Sequence, residues 1–308
     1  MSKKILTILI VLLPLLSFSQ QLPERSVFDE TNFLWNPAMT APWEYWEMGA
    51  TYRQSWVGFE DAPRTATLNM QYPMIKENMA MGGFFLHDDI SPLKINTFAM
   101  TYAYKLRLGG KQQLSLGVMG IMNHFLVNGL EVVVNDDDDE LLPGPEGNLL
   151  SPNVGFGIFY INNTGGNFEG NSFYAGLAAN QLLSTDIVFK EFGSPGNFKR
   201  AFHGNAVLGY RSISGDILIE PALWINFSTP GITDANFCLK FEKRESFWAG
   251  LNLSFNQTLS FQVGYILTKG IVKDGSLRVG LAGSYNLGPF AKARGIGYEF
   301  YVAYRFEL

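Results

Sequence analysis

The sequence predicts an all-β protein, a single transmembrane antiparallel β-barrel of about 14 strands behind a cleaved signal peptide. Three observations predict it. Residues 294–308 alternate strictly: Ile296, Tyr298, Phe300, Val302, Tyr304, Phe306 and Leu308 make one apolar face, and Gly297, Glu299, Tyr301, Ala303, Arg305 and Glu307 make the other. Successive strand residues point to opposite faces, so such a strand suits a barrel wall with lipid outside and polar groups inside. The composition is 14% aromatic and only 17% charged, with 32 glycines. Soluble domains carry about 25% charge. Beyond the N-terminus, however, no stretch has the roughly 20 continuous apolar residues of a membrane helix. Finally, alternating segments of about ten residues recur along the whole chain. The rival reading of the terminal strand alone, an edge strand of a soluble sandwich, explains neither of the other observations.

Taken in order, Lys3 and Lys4 precede an apolar run from Ile5 to Leu16, and Ser17, Phe18 and Ser19 follow before Gln20. This is the layout of a secretory signal peptide, residues 1–19, cleaved after Ser19. Cysteine is absent from the cleavage point, which tells against a lipoprotein. Residues 20–45 do not alternate and contain Asn36-Pro37-Ala38, Pro42 and the aromatics Phe33, Trp35, Trp43 and Tyr45. Proline argues against a central strand, and so many large aromatics argue against a disordered leader. This segment is expected at the periplasmic mouth of the barrel or inside its lumen.

The barrel is expected over residues 46–308. Shared faces run through Trp46, Met48, Ala50, Tyr52 and Trp56, then Ala66, Leu68, Met70 and Tyr72, then Phe98, Met100, Tyr102, Tyr104 and Leu106. Later faces include Val154, Phe156, Ile158 and Tyr160, and Phe247, Ala249, Leu251, Leu253 and Phe255. With strand one rising outward and both termini periplasmic, the external loops fall near 57–62, 87–94, 128–151, 183–199, 228–233 and 287–294. The opposite turns at 108–111, 212–215 and 242–245 are tight, as outer-membrane barrels require, with a short external turn at Asn256-Gln257 and a longer periplasmic turn at 162–170 as exceptions.

Chemistry is sparse. The net charge of −5 offers no basic field for nucleic acid. The single cysteine, Cys238, makes neither an intrachain disulfide nor a cysteine metal cluster, and a buried inert thiol is the expected state. His87-Asp88-Asp89, expected in a loop, could act as a rim general base. With only three histidines in the chain, a solvated polar loop is the favoured reading. The run Asp136, Asp137, Asp138, Asp139 and Glu140 could gather Ca²⁺ through hard oxygens, but it lacks EF-hand spacing and a solvated, self-repelling loop is the default. Phosphate loops, nucleophile elbows and zinc-protease helices are absent from the sequence. Neither an enzyme nor a cofactor is expected.

The stretch from Tyr52-Arg53 through Trp56-Val57-Gly58-Phe59 to Ala62-Pro63-Arg64-Thr65 resembles the signature of the PorP/SprF family of outer-membrane proteins. There a tyrosine-arginine pair is followed by Trp-x-Gly-Phe and Ala-Pro-x-Thr. Asn36-Pro37-Ala38, residues 152–158 (PNVGFGI), residues 173–177 (FYAGL), Gly209-Tyr210 and Glu220-Pro221-Ala222 resemble further family segments, in order along most of the mature chain. The resemblance implies a type IX secretion barrel that works with other components of that system. Such barrels help export, or hold at the cell surface, secreted proteins bearing a C-terminal sorting domain, including the large adhesins of gliding cells. Asn36, Pro37, Arg53, Trp56, Gly58, Pro63 and Thr65 are the signature residues so carried over.

Read physically, Arg53 points inward and needs a partner, for which Glu47, Glu299 and Glu307 are candidates. Trp56 suits the outer lipid interface, and Gly58 and Pro63 shape the first external turn. These residues are expected to serve barrel closure more than cargo contact. Partner choice is expected on external loops 128–151 and 183–199. The alternative function is an outer-membrane porin or small-molecule transporter, because about 14 strands lie between a filled barrel and an open channel.

Overall fold

The computed structural model describes residues 31–43, 45–128, 146–163, 170–184, 186–187, 198–199, 201–228, 232–268, 274–288 and 295–307. The expected signal peptide and the acidic run 136–140 lie outside the described residues.

Alternation becomes strand throughout. In chain order the strands are β1 (Tyr45–Gln54), β2 (Arg64–Met74), β3 (Met79–Ile90), β4 (Leu93–Gly109), β5 (Gln112–Asn128), β6 (Glu146–Ile161) and β7 (Ser172–Asn180). Next come β8 (Asp186–Ile187), β9 (Phe198–Lys199), β10 (His203–Ser214), β11 (Ile217–Ser228) and β12 (Ile232–Lys243). The last are β13 (Phe247–Ser254), β14 (Thr258–Leu267), β15 (Ser276–Asn286) and β16 (Ile296–Glu307). All but β8 and β9 form one closed antiparallel barrel in which each strand pairs with its sequence neighbours, and β1 closes on β16. That is 14 strands, as the pattern predicted. β8 and β9 form a separate small hairpin inside the expected loop 183–199.

The barrel is apolar outside and polar within. Leu68, Met70, Phe98, Met100, Phe156, Ile158, Phe261 and Phe300 are exposed on the outer wall. Glu47, Gln71, Thr101, Lys105, Asn153, Glu242, Arg278 and Glu299 point inward and are buried. A closed sheet satisfies every ladder hydrogen bond within itself, so it can face hydrocarbon without an edge. We call the end where β1 starts and β16 stops proximal, and the opposite rim distal.

Two loop boundaries differ from expectation. Residues 87–94 are not a loop: β3 and β4 run on to a turn at Ser91-Pro92, and His87, Asp88 and Asp89 are all strand residues. Likewise, in the expected loop 128–151, Asn128 belongs to β5 and residues from Glu146 onward belong to β6. Polar side chains signalled loops here, whereas they belong to strands continuing past the apolar belt.

Candidate functional site

The interior of the barrel is occupied by its own N-terminal segment. Residues 31–43 carry two short 3-10 turns, Asn32–Leu34 and Pro37–Met39, and Thr31, Phe33, Asn36, Ala38, Met39, Thr40 and Ala41 are almost wholly buried. Asn36 starts the second turn: its Oδ1 accepts from Ala38 N at 3.0 Å, and Pro37 takes the first helical position, where its missing N–H costs nothing. The same Asn36 side chain donates from Nδ2 to the carbonyls of Ile158 and Leu177, 3.3 Å each, on β6 and β7.

Glycine in the wall makes the fit possible. A Cβ at Gly117 would overlap the backbone of Pro37 and Ala38, and one at Gly157 would overlap Asn36 Oδ1. At Gly176 it would lie 2.9 Å from Asn36 Nδ2. Wall amides then hold the segment's backbone. Asn180 and Asn205 both donate to the Trp35 carbonyl at 2.6 Å, and Gln71 accepts from Ala41 N at 2.7 Å. Lys105 donates to the Ala41 carbonyl at 2.5 Å. Apolar packing completes the seat, with Ala38 and Met39 against Phe159, Ile161, Tyr174 and Val207, and Phe33 edge-on to Phe84. Every buried backbone group so paired avoids the cost of a lost hydrogen bond.

Three ion-paired sets stand inside the barrel near its proximal end. Arg305 pairs with Glu47 across the closing seam, Gln71 donates to Glu47 at 3.0 Å, and the Arg305 guanidinium lies over the Tyr45 ring at 4.4 Å. Arg211 lies 3.3 Å from Glu220, which accepts from the Tyr174 hydroxyl at 2.7 Å, and stacks over Trp43 at 4.0 Å. Arg278 grips both oxygens of Glu242, at 3.0 and 2.7 Å, beside Lys240 and over Trp248. In each set a buried cation has both a carboxylate and an aromatic face, which offsets its desolvation.

Among the signature residues, Arg53 is buried and opposite Glu299 in the closing register, and its Nε donates to Ser55 Oγ at 3.2 Å. Of its three candidate partners, Glu47 instead serves Arg305, and Glu307 stands opposite Tyr45. Thr65, opposite Arg53 on β2, donates to Asp88 at 2.6 Å. Trp56 and Gly58 take positive φ in the distal turn, Trp56 half-exposed, and the Pro63 carbonyl accepts from Ser55 N. Asn36 and Pro37 lie far from this turn, in the plug. The structure thus divides the signature between a rim turn and an interior seat. Gln71, Lys105, Asn180, Asn205 and Gly117 escaped the sequence reading. Their inward parity was legible, but nothing in sequence says which inward amide meets the plug. Cys238 is half-buried, with its thiol 3.3 Å from Asn252 Oδ1.

A family model described as "Type IX secretion system membrane protein PorP/SprF" matches residues 17–304. The chain belongs to the PorP/SprF family. It is therefore a type IX secretion membrane protein, and its closed barrel with an apolar wall fits the outer membrane. Family membership implies work with other components of that system. This is a family of secretion-system membrane proteins, not a known enzyme family. The PorP/SprF motif segments meet in space here: Asn36 of Asn-Pro-Ala contacts Gly157 and Gly176, and Tyr174 covers Gly209 while bonding Glu220. No curated protein matches the sequence. Among solved structures, the chain is similar in fold to "CymD monoaromatic hydrocarbon channel" at 10% identity. That match covers 88% of this chain and 92% of that one with a TM-score of 0.52. It is similar also to "a Pseudomonas aeruginosa FadL homologue" at 8% identity, with the same coverages and a TM-score of 0.51. The likeness to "CdiB from Acinetobacter baumannii", at 7% identity and a TM-score of 0.46, covers 85% of this chain but only 60% of that longer one. These likenesses concern the barrel fold alone.

Proposed function

We propose that this PorP/SprF barrel is non-enzymatic and helps export, or anchors at the cell surface, a secreted protein with a C-terminal sorting domain, of adhesin type. Both termini lie in the periplasm, so the distal rim faces outward. One observation carries the reading beyond the family: the barrel is seated on its own N-terminal segment, with the segment's backbone held by wall amides and glycines. A barrel closed in this way suits a docking platform better than a porin. Its recognition elements are then the distal connections after β5 and after β7, since loops on a rigid scaffold carry recognition. Asp136 to Glu140, in the first of these, are assigned no metal.

The test is deletion in the native host. One cargo bearing a sorting domain is expected to be retained inside the cell or shed into the medium. Unchanged surface display of every such cargo would overturn the proposal. The porin alternative predicts instead a large, stable open pore in single-channel recordings of the purified barrel.

A further inference from the structure

β6 is paired unequally on its two sides. It pairs with β5 along its whole length, from Gln113↔Ile161 to Asn128↔Glu146. With β7 it pairs only from Phe156↔Ala179 to Ile161↔Tyr174. Past that point Leu182 N reaches the Val154 carbonyl, and Asn153 grips the Leu183 peptide, donating to its carbonyl at 2.9 Å and accepting from its N–H at 3.0 Å. β7 has ended at Asn180, and β10 starts level with it, His203 opposite Asn180. Residues 146–152 therefore stand above the β7–β10 rim with one edge unpaired by any strand among the described residues.

The groups on that edge follow from strand geometry. The Val154 carbonyl points toward β7, and alternate residues point the same way. Pro152 C=O and the N–H and C=O groups of Leu150 and Asn148 thus face the open side. Pro152 has no N–H to leave unpaired, as expected of an edge.

The axis-facing side of this projection also differs from the wall below it. Lower down, β4, β5 and β6 are apolar outward, through Met100, Val118 and Ile158, and polar inward, through Lys105, Ser115 and Asn153. On the projection, one row of axis-facing residues is Ile95, Phe125 and Leu149, with Leu93 and Val127 beyond it. The outward row is Asn96, His124 and Leu150, with His124 Nε2 2.8 Å from Asn148 Oδ1. The next outward row is Lys94, Leu126 and Asn148, so the outward side mixes polar residues with Leu126 and the exposed Leu150. The apolar axis-facing side overhangs the mouth, and the open edge offers backbone donors and acceptors.

From this geometry we infer that the open edge of β6, residues 146–152, is the docking strand for the secreted partner. An extended segment of the partner's sorting domain adds to the sheet by backbone hydrogen bonds. Its apolar residues alternate toward the mouth beside Leu149, and its polar ones face outward beside Asn148. Strand addition takes its affinity from main-chain bonds and its selectivity from alternate side chains, so partners with little sequence in common can share it. The edge opens along the circumference, over this barrel's own β7–β10 rim. A second barrel in the same membrane would have to fill that arc with its own wall, whereas an extended segment arriving from outside would not. The inference rests on the proposed function and names the surface that performs it.

Two experiments test it in the native host. Leu150→Pro removes an edge-facing donor while leaving the β5-facing groups of its neighbours. Folded, membrane-inserted protein, checked by heat-dependent gel migration, is expected to lose about tenfold or more of the surface-held cargo. Because proline in a strand can impair folding, a photo-crosslinking residue is also placed at position 148 or 150 of the otherwise intact chain. The crosslinked peptide, identified by mass spectrometry, is expected to come from the C-terminal domain of a secreted protein. Crosslinks only to this chain, only to a second copy, or none at all would overturn the docking strand. If deletion of the whole protein displaces a cargo but folded Leu150→Pro retains it in full, the edge is wrong and the proposed function stands. If deletion displaces nothing, the function itself falls.

Discussion

Gly157 on β6 leaves the space that Asn36 of the interior segment fills: a Cβ at 157 would overlap the Asn36 carboxamide oxygen. The oxygen is engaged by Ala38 N, and the amide nitrogen by two strand carbonyls. The plug therefore cannot slide to make room. Gly157→Val is expected to cost about 1–3 kcal/mol through overpacking. It should also raise the conductance of the purified barrel in planar bilayers, because the segment is forced off its seat. Denaturant unfolding in detergent and single-channel recording check the two halves; unchanged stability would mean that the seat is soft.

Asn36 itself separates hydrogen bonding from size. Asn36→Ala is expected to destabilise by about 1–3 kcal/mol, the cost of leaving buried partners unsatisfied. Asn36→Asp is nearly isosteric but turns the donor into a carboxylate oxygen facing the carbonyls of Ile158 and Leu177. It should be at least as damaging as alanine. Comparing both variants by denaturant midpoint decides whether the donor matters.

Glu47 is about 1% exposed and holds Arg305 across the closing seam. Removing one partner of a buried pair costs about 3–5 kcal/mol, whereas replacing both with apolar residues of similar volume can be nearly neutral. Glu47→Ala should therefore weaken barrel closure far more than the double variant Glu47→Leu with Arg305→Met. Heat-dependent gel migration of the single and double variants provides the comparison.

Trp248 fills the space that side chains at Gly264 and Gly280 would take, and Arg278 lies over its ring at 4.6 Å. Gly264→Val should expel the indole, open the Arg278–Glu242 pair to water and cost about 1–3 kcal/mol. Tryptophan fluorescence is expected to shift to the red in this variant; an unshifted spectrum would show that the ring keeps its place.

Legibility differed along the chain for a physical reason. Where lipid lies outside and polar groups lie inside, every second residue reports its face, so Tyr52, Leu68, Phe98, Phe156 and Phe300 were assigned correctly by parity. Toward the distal rim polar residues stand on both faces, with Asp88 buried inward, so His87-Asp88-Asp89 and residues 146–151 looked like loops while being strands. Arg53 was legible as inward, but not its opposite number. Placing Glu299 rather than Glu307 opposite Arg53 depends on the register at which β16 meets β1, and period two is blind to a shift of two residues.

The sequence by itself determined the barrel and its two faces, because alternation is local and each residue declares its side without knowing its neighbours. Only the tertiary structure decided that Asn36-Pro37-Ala38 sits against Gly117, Gly157 and Gly176, and that β6 outruns β7. Both are contacts between residues far apart in the chain, set by curvature, register and strand length. No local pattern carries these three quantities.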